Sequence, residues 1–355
     1  MRSCRYIRSR RLARWAGERP SSALLLLGLA CGAPADADLG TAAAWTLGRP
    51  IVFSGACDAS GAAGLGGGRI AVADDEDNRL RVYDLSAGGA PVEVIDTSSH
   101  LADERGKHPE MDLEAAATVG NRIYWIASHS RKKSGKRAPS RLRLFATDLV
   151  SSGGAAETLV MAGHSYETLL DDLVGSPALA RYDLAGAAAR SPIEPGGLNI
   201  EGLTDVPGSG RLLLGLRSPV PGGRTLLVPI RNPAAMVERG ERADLGAAIE
   251  LDLGGRGLRS LVSWRDEYWI VAGSPMGRAQ SMLYRWDGSG APRWVQSIDF
   301  GDYNPEATAE VTVGGKSGLL ILSDDGERDM GGRPCKKLKV DTDKRFRGMW
   351  LEKAP

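Results

Sequence analysis

Cysteine, histidine and aromatic residues are scarce in this chain of 355 residues, and their scarcity excludes several kinds of site. The sequence has four cysteines, four histidines and 6% aromatic residues, and no cysteine or histidine pair has the spacing of a zinc site. It contains no glycine-rich phosphate-binding loop, no nucleophile elbow and no aromatic platform interleaved with basic residues. Candidate sites must therefore be sought among carboxylates, arginines and single histidines.

Long apolar segments are also missing from the sequence after its first thirty residues. Seven arginines in residues 1–22 precede the short apolar run Ala23–Ala30, which Cys31 follows. This pattern indicates a secretory signal, because the run is too short to span a bilayer. The junction resembles a bacterial lipoprotein signal with Cys31 as the lipidated anchor, although Gly28 stands where an aliphatic residue is usual. Ordinary signal-peptide cleavage is the alternative.

Charge of one sign is concentrated in that first segment. Residues 1–30 contribute seven arginines and one glutamate, so the remaining chain has a formal net charge of −5, against +1 for the whole. A mildly acidic exported protein is a poor candidate for nucleic-acid binding. We expect residues 31–44 to form a tether, with a membrane contacted only through the anchor and the protein placed in the cell envelope, periplasm or medium.

What the sequence does contain is a strand pattern that recurs five times. The five second strands end at a common column of positions, which are Asp74, His129, Arg217, Gly273 and Asp324. About 14 to 18 residues earlier lies a second column, which consists of Ser60, Glu114, Glu201, Arg259 and Glu306. A period of roughly 45–60 residues predicts an all-β fold, a β-propeller of four-stranded antiparallel blades around a central channel. We expect one domain over residues 45–355 with five blades, or six if residues 150–198 conceal another.

The last blade is the least regular of the five. Its third strand is predicted at Lys337–Val340. Its fourth strand could come from Arg347–Leu351 or from the N-terminal segment Trp45–Phe53. Use of the N-terminal segment would close the ring without a covalent bond and cover its edge strands.

Both columns are expected to surround one mouth of the channel. In an antiparallel blade the first strand begins at the face where the second strand ends. Like charges held at a shared opening require a cation, and Ca²⁺ takes six to eight oxygen ligands. The candidate metal ligands are Glu114, Glu201, Glu306 and Asp325. The alternative is a ring of ion pairs between these carboxylates and Arg217 or Arg259.

Other residues near the predicted mouth are candidates for binding or catalysis. The candidate ligand-binding residues are Asp75, Arg131, Arg217 and Arg259. Arg131 opens the basic loop 131–143, which could bind an anion or be a solvated loop. His129 could act as a general base or ligand, or be hydrogen-bonded at a blade edge.

Two cysteines remain after the signal segment and the anchor. Cys57 begins the first repeat, and Cys335 follows the second strand of the last one. The two repeats are neighbours in a closed ring, and export favours oxidation, so a disulfide between them would hold the ring closed. Two separate buried thiols are the alternative.

Several motifs resemble an uncharacterised bacterial family known as DUF3616, a domain of unknown function. The matching stretches are Asp74–Tyr83, Asp112–Ala116, Tyr124–His129, Gly197–Leu203 and Ser323–Gly326. The resemblance covers about residues 50–350 and implies a propeller fold without an established activity. Glu201-Gly202 is also similar to the Glu-Gly strand starts of calcium-dependent propeller hydrolases of lactonase-like and phytase-like type.

Three functions are compatible with these patterns. The first is a binding module that holds a small or extended ligand at the mouth, with Ca²⁺ as an organiser. The second is a metal-dependent hydrolase of phosphoesters, lactones or other esters, with His129 or a carboxylate moving the proton. The third is a structural scaffold of the cell envelope.

Overall fold

The computed structural model describes residues 44–98, 109–151, 157–277 and 279–354. The predicted signal segment 1–30 and the Cys31 anchor lie outside these residues, as does almost all of the predicted tether. In the described ranges, no helix combines the length and the apolar character needed to cross a membrane.

The described residues form five antiparallel sheets arranged as the blades of a propeller. Two N-terminal strands come first, β1 (Trp45–Leu47) and β2 (Ile51–Ser54). Blade 1 consists of β3 (Gly61–Leu65), β4 (Arg69–Ala73), β5 (Arg79–Asp84) and β6 (Glu93–Asp96). Blade 2 consists of β7 (Leu113–Val119), β8 (Arg122–Ala127), β9 (Leu144–Val150) and β10 (Thr158–Tyr166).

The remaining blades follow the same order along the chain. Blade 3 consists of β11 (Asn199–Val206), β12 (Arg211–Ser218), β13 (Thr225–Ile230) and β14 (Ile249–Leu251). Blade 4 consists of β15 (Gly257–Trp264), β16 (Glu267–Gly273), β17 (Met282–Trp286) and β18 (Arg293–Trp294). Blade 5 contains β19 (Pro305–Val313), β20 (Lys316–Ser323) and β21 (Arg345–Lys353). The prediction of a five-bladed propeller is confirmed.

The N-terminal strands complete blade 5 and close the ring. Strand β1 pairs with β21 at Trp45↔Lys353, and β2 pairs with the same strand at Phe53↔Phe346. The predicted third strand at Lys337–Val340 was wrong, because the chain there forms a short 3₁₀ turn at Cys335–Lys337 and pairs only later, from Arg345. Strand β21 thus takes the third place of blade 5, and the N-terminal segment, one of the two candidates for the fourth strand, takes the fourth place.

The insert between blades 2 and 3 contains helices rather than a sixth blade. It holds α1 (Leu169–Gly175) and α2 (Leu184–Ala189), and a further helix α3 (Pro233–Arg239) lies in blade 3. Leu169 and Leu173 of α1 are buried with strand residues of blades 2 and 3 in one apolar cluster. The six-bladed alternative is therefore wrong, because this apolar helical face is buried against existing blades.

Cys57 and Cys335 form a disulfide, with their Cα atoms 5.7 Å apart. Cys57 lies in the segment between β2 and β3, and Cys335 lies between β20 and β21. The bond therefore joins the segment that enters blade 1 to a loop of blade 5. Asp325 N donates a hydrogen bond to Cys57 O at 3.0 Å, so the end of β20 lies next to the disulfide.

Candidate functional site

The first-strand column occupies β-bulges in four blades. The pairing of β7 with β8 passes from Leu113↔Ala127 to Ala115↔Ile126 and leaves Glu114 unpaired. The registers skip Glu201, Arg259 and Glu306 in the same way. A bulge adds one residue to a strand and redirects its side chain. All four side chains contribute to the wall of one cavity.

This cavity, here called the mouth cavity, has a volume of about 560 Å³ and receives residues from all five blades. Its wall holds ten carboxylates, which are Asp58, Asp75, Glu76, Glu110, Asp112, Glu114, Glu201, Glu306, Asp324 and Glu327. Six basic residues also line it, which are Lys132, Lys133, Arg141, Arg217, Arg259 and Lys336. The predicted convergence of the two columns therefore holds for most of their members, and the cavity has an excess of acid groups.

On the side of blades 3 to 5, carboxylates are paired with arginines. Arg259 Nη1 lies 3.0 Å from Glu201 Oε2, and the other end of the same guanidinium contacts Glu306. Arg217 Nη1 donates to Glu201 Oε1 at 2.6 Å, and its remaining donors reach the carbonyl oxygens of Ser274 and Gly277. For Glu201 and Glu306 the geometry is therefore that of ion pairing rather than of free metal ligands.

On the side of blade 1, three carboxylates lie together with little positive charge. One oxygen each of Asp58, Asp74 and Asp75 lies within 4.8 Å of the others. Within the described part of the chain, none of the three forms an ion pair with a lysine or arginine, and Asp75 Oδ1 is buried without a hydrogen-bond partner. We call these three residues the aspartate cluster. A buried oxygen with no donor is costly unless a proton or a cation reaches it.

Burial raises the pKa of each member of the aspartate cluster. It raises the pKa of Asp58 to about 11, with a hydrogen bond to Asp324 as the second cause. Burial also raises the pKa of Asp74 to about 7. The pKa of Asp75 is well above its usual value, because of burial first and the neighbouring charge of Asp74 second. The cluster therefore cannot carry three negative charges at neutral pH without a cation to offset them.

Glu114 and Asp112 lie in the same cavity wall. Burial raises the pKa of Glu114 well above its usual value, and the charge of Glu201 adds to this. Burial raises the pKa of Asp112 to about 7, although Arg141 Nη1 lies 2.7 Å from its Oδ2 and opposes the shift. Asp112 also has a positive φ of 62°, a strained backbone conformation that is typical of functional positions.

Three predicted site residues lie outside the mouth cavity. Asp325 forms a buried two-point ion pair with Arg347 of β21, with two oxygen to nitrogen distances of 2.7 Å. Strand β8 ends at Ala127, and His129 takes φ 53° so that its Nδ1 contacts Ala127 O at 2.8 Å. His129 and Arg131 line a different cavity. The placement of these three at the mouth is corrected accordingly.

The sequence analysis missed a third column, two residues before the first. It consists of Asp58, Asp112, Asn199, Gly257 and Asn304, each followed two positions later by Ser60, Glu114, Glu201, Arg259 or Glu306. The geometry repeats as well, because Asn199 Nδ2 donates to Glu201 Oε1 at 2.7 Å and Asn304 Nδ2 donates to Glu306 Oε1 at 2.9 Å. Alignment of the five repeats on their first-strand column would have found these residues.

Solved structures with a similar chain path have low sequence identity to this protein. Glutaminyl cyclase of Myxococcus xanthus is 12% identical, with a TM-score of 0.46 over 88% of this chain and 98% of that chain. The PQQ-bound aldose sugar dehydrogenase of Streptomyces coelicolor is 15% identical, with a TM-score of 0.42 over 87% of this chain and 99% of that chain. A sialidase of Trypanosoma rangeli is 12% identical, with a TM-score of 0.37 over 79% of this chain and 44% of that chain.

No curated protein matches the sequence. A family model described as a protein of unknown function, DUF3616, matches residues 146–313, which run from blade 2 into blade 5. The matched region includes Gly197–Leu203, one of the motifs on which the resemblance was based. The resemblance is thereby confirmed over residues 146–313, where this five-bladed propeller is similar to the DUF3616 family of proteins of unknown function.

Proposed function

We propose that this protein is an exported propeller that binds a divalent cation at the mouth cavity and uses it to hold a small anionic ligand. The observation that carries the proposal is the aspartate cluster, with its three oxygens within 4.8 Å and the partnerless Asp75 Oδ1. A divalent cation would supply the positive charge that no described lysine or arginine supplies by ion pairing.

Ca²⁺ fits the donors of the site best. The aspartate cluster offers only oxygen atoms, and Ca²⁺ accepts carboxylate, carbonyl and water ligands at flexible geometry, whereas zinc favours nitrogen and sulfur donors. Asn199 Oδ1 is a further buried oxygen in the same cavity wall with no partner among the described residues. The originally predicted ligands Glu201 and Glu306 are less suitable, because arginines already hold them.

The rim of the mouth cavity favours an anionic ligand. Lys132 and Lys133 of the basic loop line the cavity, and neither forms an ion pair with a described residue. A cation bound at the aspartate cluster and the ammonium groups of Lys132 and Lys133 would together attract a phosphate or carboxylate group placed between them. Arg217 and Arg259 would position the carboxylates around this ligand rather than bind it, since their guanidinium groups are already engaged.

The first test is the metal content of protein purified without a chelator, measured by elemental analysis. We expect near-stoichiometric calcium in the wild type and little in Asp75→Asn. Asp266→Asn is the matched control, because Asp266 lies in the cavity at the opposite end of the channel. Absence of any bound metal, together with no calcium binding in titration calorimetry, would contradict the proposal and leave a ligand-binding or scaffold role without a metal.

A second candidate is a hydrolase that uses the same cation. Asp112 favours it, because a carboxyl group with a pKa near 7 can both accept and donate a proton at neutral pH. The metal would activate water or polarise the scissile bond, and Asp112 would move the proton. Turnover of an aryl phosphate, aryl ester or lactone should require Ca²⁺ and be lost in Asp112→Asn while calcium binding persists. No turnover on any of these substrates would favour the binding module.

We further propose export with a lipid anchor at Cys31. The signal-like sequence and the Cys57–Cys335 disulfide support export, because disulfides persist in oxidising compartments. Labelled palmitate should be incorporated into the protein in cells and not into Cys31→Ala. Incorporation of no label, with recovery of the processed protein in the soluble periplasmic fraction, would instead indicate ordinary signal cleavage.

A further inference from the structure

A second cavity of about 430 Å³ lies beside the helical insert and is separate from the mouth cavity. The basic loop forms one wall, and helices α1 and α2 form the other. Its apolar wall residues include Leu142, Leu170, Val174 and Ala189. A cavity of this size with apolar walls and a few polar groups is typical of small-molecule sites. We call it the insert cavity.

His129 contributes an unusual polar group to the wall of the insert cavity. Its side chain is only 2% exposed, and its Nδ1 must carry the ring proton, because the partner at 2.8 Å is the carbonyl oxygen of Ala127. Nε2 is then a hydrogen-bond acceptor, and it is buried without a partner among the described residues. The positive φ of 53° adds backbone strain at the same residue. The unpartnered Nε2 and the strained backbone each cost free energy, and two such costs at one residue are typical of a functional position rather than of packing alone.

Two arginines give the insert cavity a positive charge. Arg131 is held in place, because its Nε donates to Ala188 O at 2.9 Å and its Nη1 donates to Gly135 O at 3.1 Å. Arg137 also lines the cavity, and it forms no ion pair or hydrogen bond with a described residue. Among the described residues of the wall, Asp171 on α1 is the one acidic residue. Two guanidinium groups against one carboxylate favour an anion.

We propose that the insert cavity binds a small organic anion with an apolar body, an anionic group and a hydrogen-bond donor. The apolar body would contact Leu142, Leu170 and Val174, and the anionic group would be recognised by Arg137 and the fixed Arg131. The donor would be a hydroxyl or N–H group, which gives Nε2 of His129 its missing partner once the side chains that cover this buried atom move aside. This site does not depend on the metal site, although Ser130 lines both cavities and makes them neighbours.

The probe for this proposal is 8-anilinonaphthalene-1-sulfonate, which combines aromatic rings, a sulfonate and one N–H donor. We expect saturable binding of one molecule per chain by fluorescence and calorimetry. Arg137→Gln should weaken binding about tenfold, since it removes a charged partner. Ala189→Trp should abolish binding by filling the cavity. Lys136→Gln removes the same charge from the same loop without touching the cavity wall, and it should bind like the wild type.

The alternatives give different results in the same experiment. Equal affinity in wild type, Arg137→Gln and Ala189→Trp would overturn the proposal, as would the absence of saturable binding. Loss of binding in Glu114→Gln, with Ala189→Trp unaffected, would place the probe in the mouth cavity and also overturn it. Circular dichroism and urea unfolding would show that each variant is folded, so a loss of binding can be assigned to the cavity.

Discussion

Arg259 of blade 4 lies between the carboxylates of two other blades, with its Nη1 3.0 Å from Glu201 of blade 3 and its Nη2 in contact with Glu306 of blade 5. Arg259 is only 6% exposed. The three blades therefore meet at the mouth through one buried charge and its two partners. Removal of the cationic partner of a buried carboxylate strongly destabilises the folded protein, even where the intact ion pair contributes little to its stability.

We expect Arg259→Met to lower the free energy of unfolding by about 3 to 5 kcal/mol, because Glu201 and Glu306 lose a buried partner. Urea denaturation would measure the change. Arg231→Met breaks an exposed pair with Asp244 and should change stability by less than about 0.5 kcal/mol. Recovery of stability in Arg259→Met combined with Glu201→Gln and Glu306→Gln is expected. Full stability in the single variant would contradict the ion-pair interpretation.

Calcium should stabilise the folded protein through the aspartate cluster. A ligand that binds only the folded state adds about 2.7 kcal/mol at a concentration one hundred times its Kd. Thermal unfolding in excess CaCl₂ and in EGTA should therefore give different Tm values for the wild type. Asp75→Asn should remove most of this difference, and Asp266→Asn should keep it. Equal Tm values for the wild type in both conditions would argue against a calcium site.

The contribution of His129 to the free energy of unfolding should decrease in mild acid, in the direction opposite to that of the buried carboxyl groups with raised pKa values. Burial lowers the pKa of His129 from its usual 6.5 to about 4. The contribution of the neutral imidazole to the free energy of unfolding is therefore complete above pH 6.5. It is lost as the pH falls towards 4, because in this range the unfolded chain takes up a proton at His129 and the folded protein does not. Between pH 7 and 5 this amounts to about 2 kcal/mol.

The substitution His129→Asn isolates that contribution, since asparagine tolerates a positive φ and does not titrate in this range. The difference in unfolding free energy between this variant and the wild type should shift in favour of the variant by about 2 kcal/mol from pH 7 to 5. The exposed His164 provides the control, and His164→Asn should show no such shift. A pH-independent difference for His129→Asn would show that the imidazole can be protonated in the folded protein.

The disulfide should contribute to stability by limiting the unfolded chain. It joins residues separated by 278 positions, and long loops give large effects in the chain-entropy model. We expect the double variant Cys57→Ala, Cys335→Ala to have a free energy of unfolding about 2 to 4 kcal/mol lower than the wild type in urea. The variant should still fold, because the pairing of β1 and β2 with β21 holds the ring closed without the disulfide. Reductant should destabilise the wild type by a similar amount and leave the double variant unchanged. Insensitivity of the wild type to reductant would contradict this expectation.

The sequence by itself indicated five blades, with six as the alternative, and it placed most members of the two columns at the mouth. Strands within a blade are joined by short connections, so the repeat of strand patterns along the chain carries the architecture. The antiparallel order then places the start of the first strand and the end of the second at one face, as found for Glu114, Arg217 and Glu306. The N-terminal segment from Trp45 was one of two candidates for the closing strand, and its pairing with β21 decides between them.

Only the tertiary structure decided which charges meet. Glu201 and Arg259 belong to adjacent blades, and their contact depends on how the two bulged strands lie beside each other in the ring. The same applies to the aspartate cluster, whose members gain their raised pKa values from burial among neighbouring elements. His129 shares a column with Arg217 in the sequence, but it lies beyond the end of β8 with a positive φ and lines the insert cavity. Local patterns determine where strands run, whereas the partner of a buried charge depends on residues distant in the chain and is set when the ring closes.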